Sequence, residues 1–151
     1  MMEQIKSSFS ILLAEDDDDD YLLIQKGFKS AGITNVLYRV KDGAELMDYL
    51  HQKNKYKQQS LFPRPRLILL DLNMPRKDGR EALKEIKANS ELSTIPIVIF
   101  TTSIAVEDIA WAYRLDVNSF VRKPVDFKDF VGAVRLIGTY WFELVILPED
   151  N

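Results

Sequence analysis

The chain contains no cysteine, so neither disulfide bonds nor thiolate metal sites are available to it. Its net charge of −3 is too small to indicate a nucleic-acid or membrane surface. No run approaches the roughly 20 apolar residues that span a bilayer, and residues 1–10 hold no apolar segment of signal-peptide length. We therefore expect a soluble, cytoplasmic protein that binds neither nucleic acid nor membrane.

Five short apolar runs alternate with segments of helical periodicity. The runs are "SILLA" (10–14), "VLYRV" (36–40), "RLILL" (66–70), "IPIVIF" (95–100) and "SFVR" (119–122). Four are nearly continuous, which is typical of strands buried on both faces, whereas "VLYRV" alternates and suits an edge strand. The repeated alternation predicts an α/β fold, a doubly wound (βα)5 unit with a parallel sheet. We expect one domain over 1–151, with a core of about 9–144 and a C-terminal extension over 145–151.

The segment "HQKNKYKQQSLFPRPR" (51–66) interrupts this alternation because it is long, basic and free of acids. We expect a solvated surface loop here in preference to a basic binding site. His51, the only histidine, begins this loop and is expected to be inert.

Polar side chains stand where the predicted strands end. They are Glu15 and Asp16 after the first strand, Asp71 after the third, Thr101 and Thr102 after the fourth, and Lys123 after the fifth. Ligands of open parallel sheets bind beyond the carboxyl ends of the strands. Three carboxylates so close repel one another unless a divalent cation joins them, and an all-oxygen set favours Mg²⁺ or a similar hard ion. In such a site Asp71 can act as a nucleophile toward a phosphoryl group, with the metal, Thr101 and Lys123 stabilising its oxygens.

Four motifs, "ILLAEDD", "LILLDLNMPRKDG", "IPIVIFTTS" and "FVRKP", resemble in order and spacing those of the response-regulator receiver domain of two-component signalling. The resemblance covers about Phe9 to Leu144. It implies a CheY-like, flavodoxin-like sandwich with strand order 2-1-3-4-5. It also implies a phosphoprotein and not an enzyme in the ordinary sense. Such a protein accepts phosphoryl from a phosphohistidine, promotes that transfer itself and loses the group slowly.

The resemblance further implies a role for each residue around the metal. Asp71 would be the phosphoacceptor, and Asp16 and Asp71 would coordinate Mg²⁺ or Mn²⁺ together with the backbone carbonyl of Asn73. Glu15 would assist through water. Lys123 would bind the phosphoryl group.

Other residues are implied to transmit or time the signal. Thr101 and Phe120 would form the switch pair, with Thr101 turning toward the phosphoryl group and Phe120 packing inward. Thr102 and Ser103 would tune dephosphorylation. The peptide bond before Pro124 is expected to be cis.

The acidic run 15–20 divides into two parts by position. Glu15 and Asp16 end the strand, whereas Asp17 to Asp20 fall at the start of the first helix. Acids at a helix start cap free N–H groups and complement the helix dipole, so we expect these four to be structural. Their negative field would also raise the local Mg²⁺ concentration.

Two other functions are compatible with parts of this pattern. A haloacid-dehalogenase-type phosphatase also uses a strand-end aspartate and Mg²⁺, but it needs a second acid two residues later, where this chain has Asn73. A pseudo-receiver that binds partners without phosphorylation would carry a damaged site, yet no expected site residue is missing.

The signal is expected to pass by protein contact through the face made by the fourth helix, fifth strand and fifth helix, since no output domain fits after residue 145. Large apolar residues mark the candidate interface: Trp111, Tyr113, Tyr140, Trp141 and Phe142. A homodimer is favoured over a final helix that folds back on the core. The long loop and the "W-x-E-L-V-x-L-P" ending (141–148) look like those of stand-alone receivers associated with bacterial phytochromes. The expected partner is a sensor histidine kinase, of the phytochrome type in that case, or a histidine phosphotransfer protein.

Overall fold

Five strands and five helices alternate along residues 9–148, which are the residues described in this computed structural model. The strands are β1 (Ile11–Ala14), β2 (Leu37–Val40), β3 (Leu67–Leu70), β4 (Ile97–Thr101) and β5 (Ser119–Arg122). The helices are α1 (Asp18–Ser30), α2 (Gly43–Leu50), α3 (Gly79–Ala88), α4 (Val106–Arg114) and α5 (Phe127–Thr139). A 3₁₀ turn over Asn54–Tyr56 and a π-helical turn over Tyr140–Leu144 complete the regular structure.

The strands form one parallel sheet in the order β2-β1-β3-β4-β5, so the predicted fold and strand order are confirmed. Ala14 pairs with Leu70, and Leu70 pairs with Ile99. This register brings the carboxyl ends of the three central strands to the same level, and with them the residues that follow.

The prediction that "SFVR" is buried on both faces is wrong. β5 lies at an edge of the sheet, where Ser119, Phe120 and Val121 are half-buried and Arg122 is exposed. A strand with one neighbour is covered less completely than a central strand. "VLYRV", in contrast, was predicted as an edge strand and is one.

Alternate residues of the strands face two separate apolar layers, because successive side chains point to opposite faces. One layer joins the sheet to α2, α3 and α4 through Leu12, Ile68, Leu70, Ile99, Leu46, Leu83, Ile86 and Ala112. The other joins it to α1 and α5 through Leu13, Leu69, Phe100, Ile24, Phe28, Phe130 and Val134. Helices thus cover both faces, which leaves the edge at the strand ends for polar groups.

The sequence predicts a solvated surface loop over 51–66, but part of this loop packs against the rest of the protein. Tyr56 and Phe62 pack with Tyr49, with ring centroids 5.0 Å apart for Tyr49 and Tyr56 and 4.9 Å for Tyr56 and Phe62. The Tyr49 hydroxyl donates to the Pro63 carbonyl at 2.8 Å. The aromatic residues inside the basic segment hold the loop against α2.

The segment after α5, residues 140–148, divides between core and surface. Phe142 and Leu147 are buried in the α1/α5 layer, so Phe142 is wrong as an interface residue. Leu144 and Ile146 are 73% and 90% exposed, and Tyr140 is half-exposed. Residues 149–151 lie outside the described part of the chain. Part of this segment therefore thickens the core, as the fold-back alternative predicts, and part remains on the surface. The homodimer stays a prediction.

No helix within residues 9–148 has the length and apolar character needed to cross a membrane.

Candidate metal centre

Three carboxyl groups meet at the carboxyl end of the sheet. One oxygen from each of Glu15, Asp16 and Asp71 lies within 4.8 Å of the others. Glu15 and Asp71 are buried, whereas Asp16 is exposed. The sheet creates this arrangement, since Asp71 donates its backbone N–H to the Ala14 carbonyl at 3.0 Å, directly beside Glu15. Three carboxylates with no nitrogen or sulfur ligand suit a hard divalent cation, Mg²⁺ or Mn²⁺, as the sequence predicts.

Lys123 supplies the positive charge at this cluster. Its ammonium nitrogen lies 2.5 Å from Glu15 Oε1, 2.8 Å from Asp20 Oδ2 and 2.9 Å from Asp71 Oδ2, and its side chain is 4% exposed. The three N–H donors of the ammonium group therefore have three carboxylate acceptors. The Lys123 backbone N–H is fixed by the Thr101 carbonyl at 2.8 Å.

Burial and charge act in opposite directions on these groups. Burial raises the pKa of the Glu15 carboxyl to about 7, although the ammonium of Lys123 works against that shift. Burial alone would lower the pKa of Lys123, but the carboxylates of Asp71 and Glu15 and the bond to Asp20 hold it above its usual value. The lysine thus remains charged while several carboxyl groups surround it, which leaves an excess of negative charge for a cation to neutralise.

The two oxygens of Asp71 have different partners. Oδ1 accepts the Thr101 hydroxyl at 2.6 Å and the Asn73 backbone N–H at 3.1 Å, while Oδ2 accepts Lys123. The Asn73 amide nitrogen also lies 3.4 Å from Thr101 Oγ1 and 3.5 Å from Thr102 Oγ1. The carboxylate is therefore held in one orientation from three strand ends. The metal-ligand role of the Asn73 carbonyl stays a prediction.

Close backbone contact supports the Asp71 side of the site. Asp78 caps α3 by accepting the N–H groups of Arg80 and Glu81. Gly79 follows it, and a Cβ at this position would lie 2.7 Å from Leu72 Cα and still closer to the Asp71 carbonyl oxygen. Only glycine lets α3 begin directly against the backbone of Asp71 and Leu72.

Arg39 of β2, which was not singled out from the sequence, organises the loop that carries Asp16. Its Nε donates to the Glu15 carbonyl at 2.9 Å, and its guanidinium lies 2.8 Å from Asp18 and over the Tyr21 ring at 4.4 Å. These contacts tie the start of α1 to the neighbouring strand. The sequence did contain a signal for this role, namely that Arg39 is a basic residue inside the predicted edge strand.

Arg80 forms a second link that sequence reasoning missed. Its Nε and one terminal nitrogen bond the two carboxylate oxygens of Asp108 in α4 at 2.8 and 2.7 Å. Ser103 donates its hydroxyl to the same carboxylate at 2.8 Å. The start of α3 is thereby joined to the loop that carries Thr102 and Ser103. No spacing rule relates Arg80 to Asp108, because 28 residues separate them.

The four aspartates at the start of α1 do not share one role. Asp17 is the N-cap and accepts the Asp20 N–H at 2.9 Å, so its structural role is confirmed. Asp18 pairs with Arg39, and Asp19 is exposed. Asp20 makes a contact that the sequence did not predict, since its side chain accepts a bond from Lys123 at 2.8 Å. That the four aspartates are structural stays a prediction for Asp20.

The predicted switch residues have different partners, although they lie on neighbouring strands. The Thr101 hydroxyl already bonds Asp71, so it needs no inward turn to reach the site. Phe120 is half-buried against the α2/α3/α4 layer, and its backbone N–H donates to the Tyr113 hydroxyl at 3.1 Å. Trp111 packs on the same layer. The bond before Pro124 is trans, since the residues described contain no cis peptide, so the expected cis bond is wrong. X-Pro bonds prefer trans by roughly 0.5 to 1 kcal/mol.

An open cavity of about 700 Å³ lies at the opposite, amino end of the sheet. Its walls include Pro63, Arg64, Arg66, Pro96 and Pro148. The carboxylate cluster is not part of its lining, and its one acidic residue, Glu91, lies 3.8 Å from Arg64. Within residues 9–148, the predicted cluster of carboxylates therefore lies at the carboxyl end of the sheet and not in this cavity.

The profile of the response regulator receiver domain matches residues 11–135. The chain belongs to this family. The match covers the whole sheet and all four motifs identified above, so the predicted family is confirmed. Among curated proteins, Response regulator Rcp1 of a Synechocystis strain is 44% identical to this receiver domain over 138 residues, which is 91% of this chain and 92% of that protein.

Solved structures of receiver domains agree with the fold. The phosphorylated cyanobacterial phytochrome response regulator RcpA is similar with a TM-score of 0.88 and 39% identity, over 94% of this chain and 99% of that one. The Mn²⁺-bound form of Rcp1 is similar with a TM-score of 0.88 and 42% identity, over 93% of this chain and 99% of that one.

Proposed function

We propose that this receiver domain acts as a single-domain response regulator, in which Asp71 accepts a phosphoryl group from the phosphohistidine of a sensor histidine kinase. The observation that carries the proposal is the environment of Asp71. Its carboxylate lies beside Glu15 and Asp16, with the Thr101 hydroxyl on one oxygen and the Lys123 ammonium on the other. This arrangement supports a nucleophilic role for the carboxylate, since it fixes the orientation of Asp71 and provides two donors that could turn to phosphoryl oxygens.

In the transfer, a carboxylate oxygen of Asp71 forms a bond to phosphorus while the phosphorus–nitrogen bond of the donor breaks, and its electron pair returns to the imidazole ring. Lys123 and Thr101 exchange their bonds to Asp71 for bonds to the transferred oxygens. Glu15, Asp16 and Asp71, with the Asn73 carbonyl, would hold Mg²⁺ or Mn²⁺. When bound, that cation neutralises charge that develops on the phosphoryl oxygens. Thr102 and Ser103, at the border of the site, are proposed to set the access of the hydrolytic water.

The phosphatase alternative gains no support from the site geometry. A phosphatase of that type needs an acid two residues after its nucleophile, and here the Asn73 amide faces the hydroxyls of Thr101 and Thr102. An amide cannot donate and recover the proton that turnover requires. We expect self-promoted phosphorylation and slow loss of the group, without turnover on other phosphate esters.

The proposed partner is a histidine kinase of the phytochrome type, or a histidine phosphotransfer protein. Support comes from RcpA, whose structure is described as that of a phytochrome response regulator, and from Rcp1, which matches across 91% of this chain. For transmission we propose contact through α4, β5 and α5, where Tyr113 is half-exposed beside Phe120. The exposed Tyr140, together with Leu144 and Ile146, supports a homodimer.

The test is the intact mass of the protein after incubation with acetyl phosphate, in Mg²⁺ and in EDTA. We expect one phosphoryl group in Mg²⁺ and none in EDTA. Asp71→Asn should abolish the gain of a phosphoryl group. Asp48→Asn should retain it, because this change removes a carboxylate of α2 that is not part of the acidic cluster. An unmodified wild-type protein that is folded and binds Mg²⁺ would overturn the proposal in favour of a phosphorylation-independent binding module.

Partner and assembly need separate measurements. Phosphotransfer from a phytochrome histidine kinase should label wild type and not Asp71→Asn. Sedimentation should show a dimer at micromolar concentration that weakens in Leu144→Ser combined with Ile146→Ser. A monomer mass independent of concentration would contradict the dimer and leave the phosphoryl chemistry untouched.

A further inference from the structure

We propose that Asp20 is a positioning residue that holds the ammonium of Lys123 in place when a divalent cation occupies the acidic cluster. The proposal rests on the proposed function, because it assigns a task within the phosphoryl transfer. Its basis is the bond of 2.8 Å between Asp20 Oδ2 and the Lys123 nitrogen, which joins the first turn of α1 to the loop after β5.

Asp20 differs from the other two acceptors of Lys123. Glu15 and Asp71 both belong to the group of three carboxylates that can hold the cation, and Asp20 does not. A cation held by Glu15 and Asp71 would draw on the negative charge of the two carboxylates that Lys123 also contacts, and this competition would weaken those two bonds. Of the three described acceptors of Lys123, Asp20 would then be the one that the metal does not share.

Lys123 needs such an anchor because its charge sits at the end of four methylene groups. An ammonium group is a compact charge on a flexible stem, so its position depends on its partners and not on its own shape. The backbone of Lys123 is fixed by Thr101, but the phosphoryl group will arrive at the ammonium end. Misplacing a catalytic group by about 1 Å costs up to roughly 100-fold in rate.

The position of Asp20 is itself well defined. Its backbone N–H donates to the side chain of the N-cap, Asp17, at 2.9 Å. Its side chain is 26% exposed, compared with 4% for Lys123, so Asp20 links the buried ammonium group to the surface of the protein. Asp17 thus orients Asp20, and Asp20 orients Lys123.

Asp19 offers a matched control because it lies in the same helical turn, carries the same charge and is exposed. In Mg²⁺ and saturating acetyl phosphate, we expect Asp20→Ala to be phosphorylated about tenfold more slowly than wild type. Asp19→Ala should remain within about twofold of wild type, and Asp20→Asn, which keeps an acceptor oxygen without the charge, should fall between them. Mg²⁺ affinity measured by calorimetry should change by no more than about twofold in all three, since Asp20 is not placed among the ligands.

Equal slowing in Asp19→Ala and Asp20→Ala would overturn the inference and assign the effect to the general negative field of the helix start. A normal rate in Asp20→Ala would also overturn it. So would a loss of Mg²⁺ affinity that accounts for the whole effect, because Asp20 would then serve the metal and not the lysine.

A second measurement does not depend on phosphorylation. In the Mg²⁺-saturated protein, the ammonium protons of Lys123 should exchange slowly enough to give a ¹⁵N-correlated signal, assigned by its loss in Lys123→Arg. The signal should persist in Asp19→Ala and disappear in Asp20→Ala. If wild type shows this pattern but gains no phosphoryl group, the proposed function fails while the role of Asp20 in holding Lys123 stands. A signal that survives in Asp20→Ala overturns the role itself.

Discussion

Lys123 and Arg80 each connect separate elements at the carboxyl end of the sheet, but they do so in different ways. Lys123 is buried and divides its three donors among three carboxylates, whereas Arg80 is partly exposed and gives two donors to the single carboxylate of Asp108. An ammonium group can donate hydrogen bonds in several directions. This freedom suits a group that must exchange a carboxylate oxygen for a phosphoryl oxygen. A guanidinium fork fixes one geometry, which suits a clamp that keeps a loop in place. The predictions below test this division of roles.

The largest effect is expected for Lys123→Met. This change leaves the buried carboxyl groups of Glu15 and Asp71 without the positive charge of the ammonium group. We expect a loss of about 3 kcal/mol in the free energy of unfolding in EDTA. Mg²⁺ should restore more stability to this variant than it adds to wild type, because it replaces the missing positive charge. Urea unfolding with and without Mg²⁺ measures both. Lys128→Met, at an exposed position in α5, should have no such effect.

Gly79→Ala should come next, since it forces α3 away from the backbone of Asp71 and Leu72. Overpacking of this kind costs about 2 kcal/mol. Mg²⁺ affinity should fall as well, because Asp71 moves with its backbone. Gly132→Ala in α5 is the control: a Cβ there meets nothing within 4 Å, so the change should stabilise the protein by up to about 1 kcal/mol. Equal urea midpoints for the two variants would contradict the prediction.

A smaller effect is expected for Arg80→Ala, because the ion pair with Asp108 is partly exposed. Its loss should cost about 1 kcal/mol, and Arg80→Lys should not restore it, since an ammonium group cannot make both bonds. Arg64→Ala removes an exposed pair whose nitrogen and oxygen lie 3.8 Å apart and should change little. A double-mutant cycle with Asp108→Ala isolates the pair. Full rescue by lysine would show that charge alone matters there.

The smallest effect concerns acid stability. Hydrogen bonding to Arg80 lowers the pKa of Asp108 from 3.8 to about 2, with Ser103 contributing a further bond. A carboxyl group with a lowered pKa stabilises the folded state above its unfolded pKa, and this contribution is lost as the pH falls toward the folded value. The stability difference between wild type and Asp108→Asn should therefore be smaller at about pH 3 than at about pH 5. Chemical unfolding at the two values checks this, and an unchanged difference would contradict it.

The residues predicted to meet at the site were those that directly follow strands. The sequence predicts that Glu15, Asp71 and Lys123 lie close together, because parallel strands end at one edge of a sheet. The register of β1 and β3 is set by their continuous apolar residues. Side chains that reach the site from helices were missed. Asp20 was assigned to capping because its sequence position is that of a helix start, and its side-chain direction depends on how α1 packs against the sheet.

The segment after α5 (residues 140–148) shows the same limit. The spacing of the buried residues Phe130, Val134 and Ile137 along α5 continues to Trp141. The residue that is fully buried is instead Phe142, one position later, while Trp141 is only partly buried. The π-helical turn over Tyr140–Leu144 shifts the core-facing position, which the periodicity of a regular helix does not predict.

The sequence by itself determined the alternation of strands and helices and the identity of the groups at the carboxyl ends of the strands, because local apolar patterns and strand-end positions are properties of the chain. The strand order was implied only by the resemblance of its motifs to the receiver family. The tertiary structure decided which long side chains cross between elements: Asp20 to Lys123, Arg80 to Asp108 and Arg39 to Asp18. These contacts join residues far apart in sequence. They depend on packing angles and rotamers, which are set only when both faces of the sheet are covered.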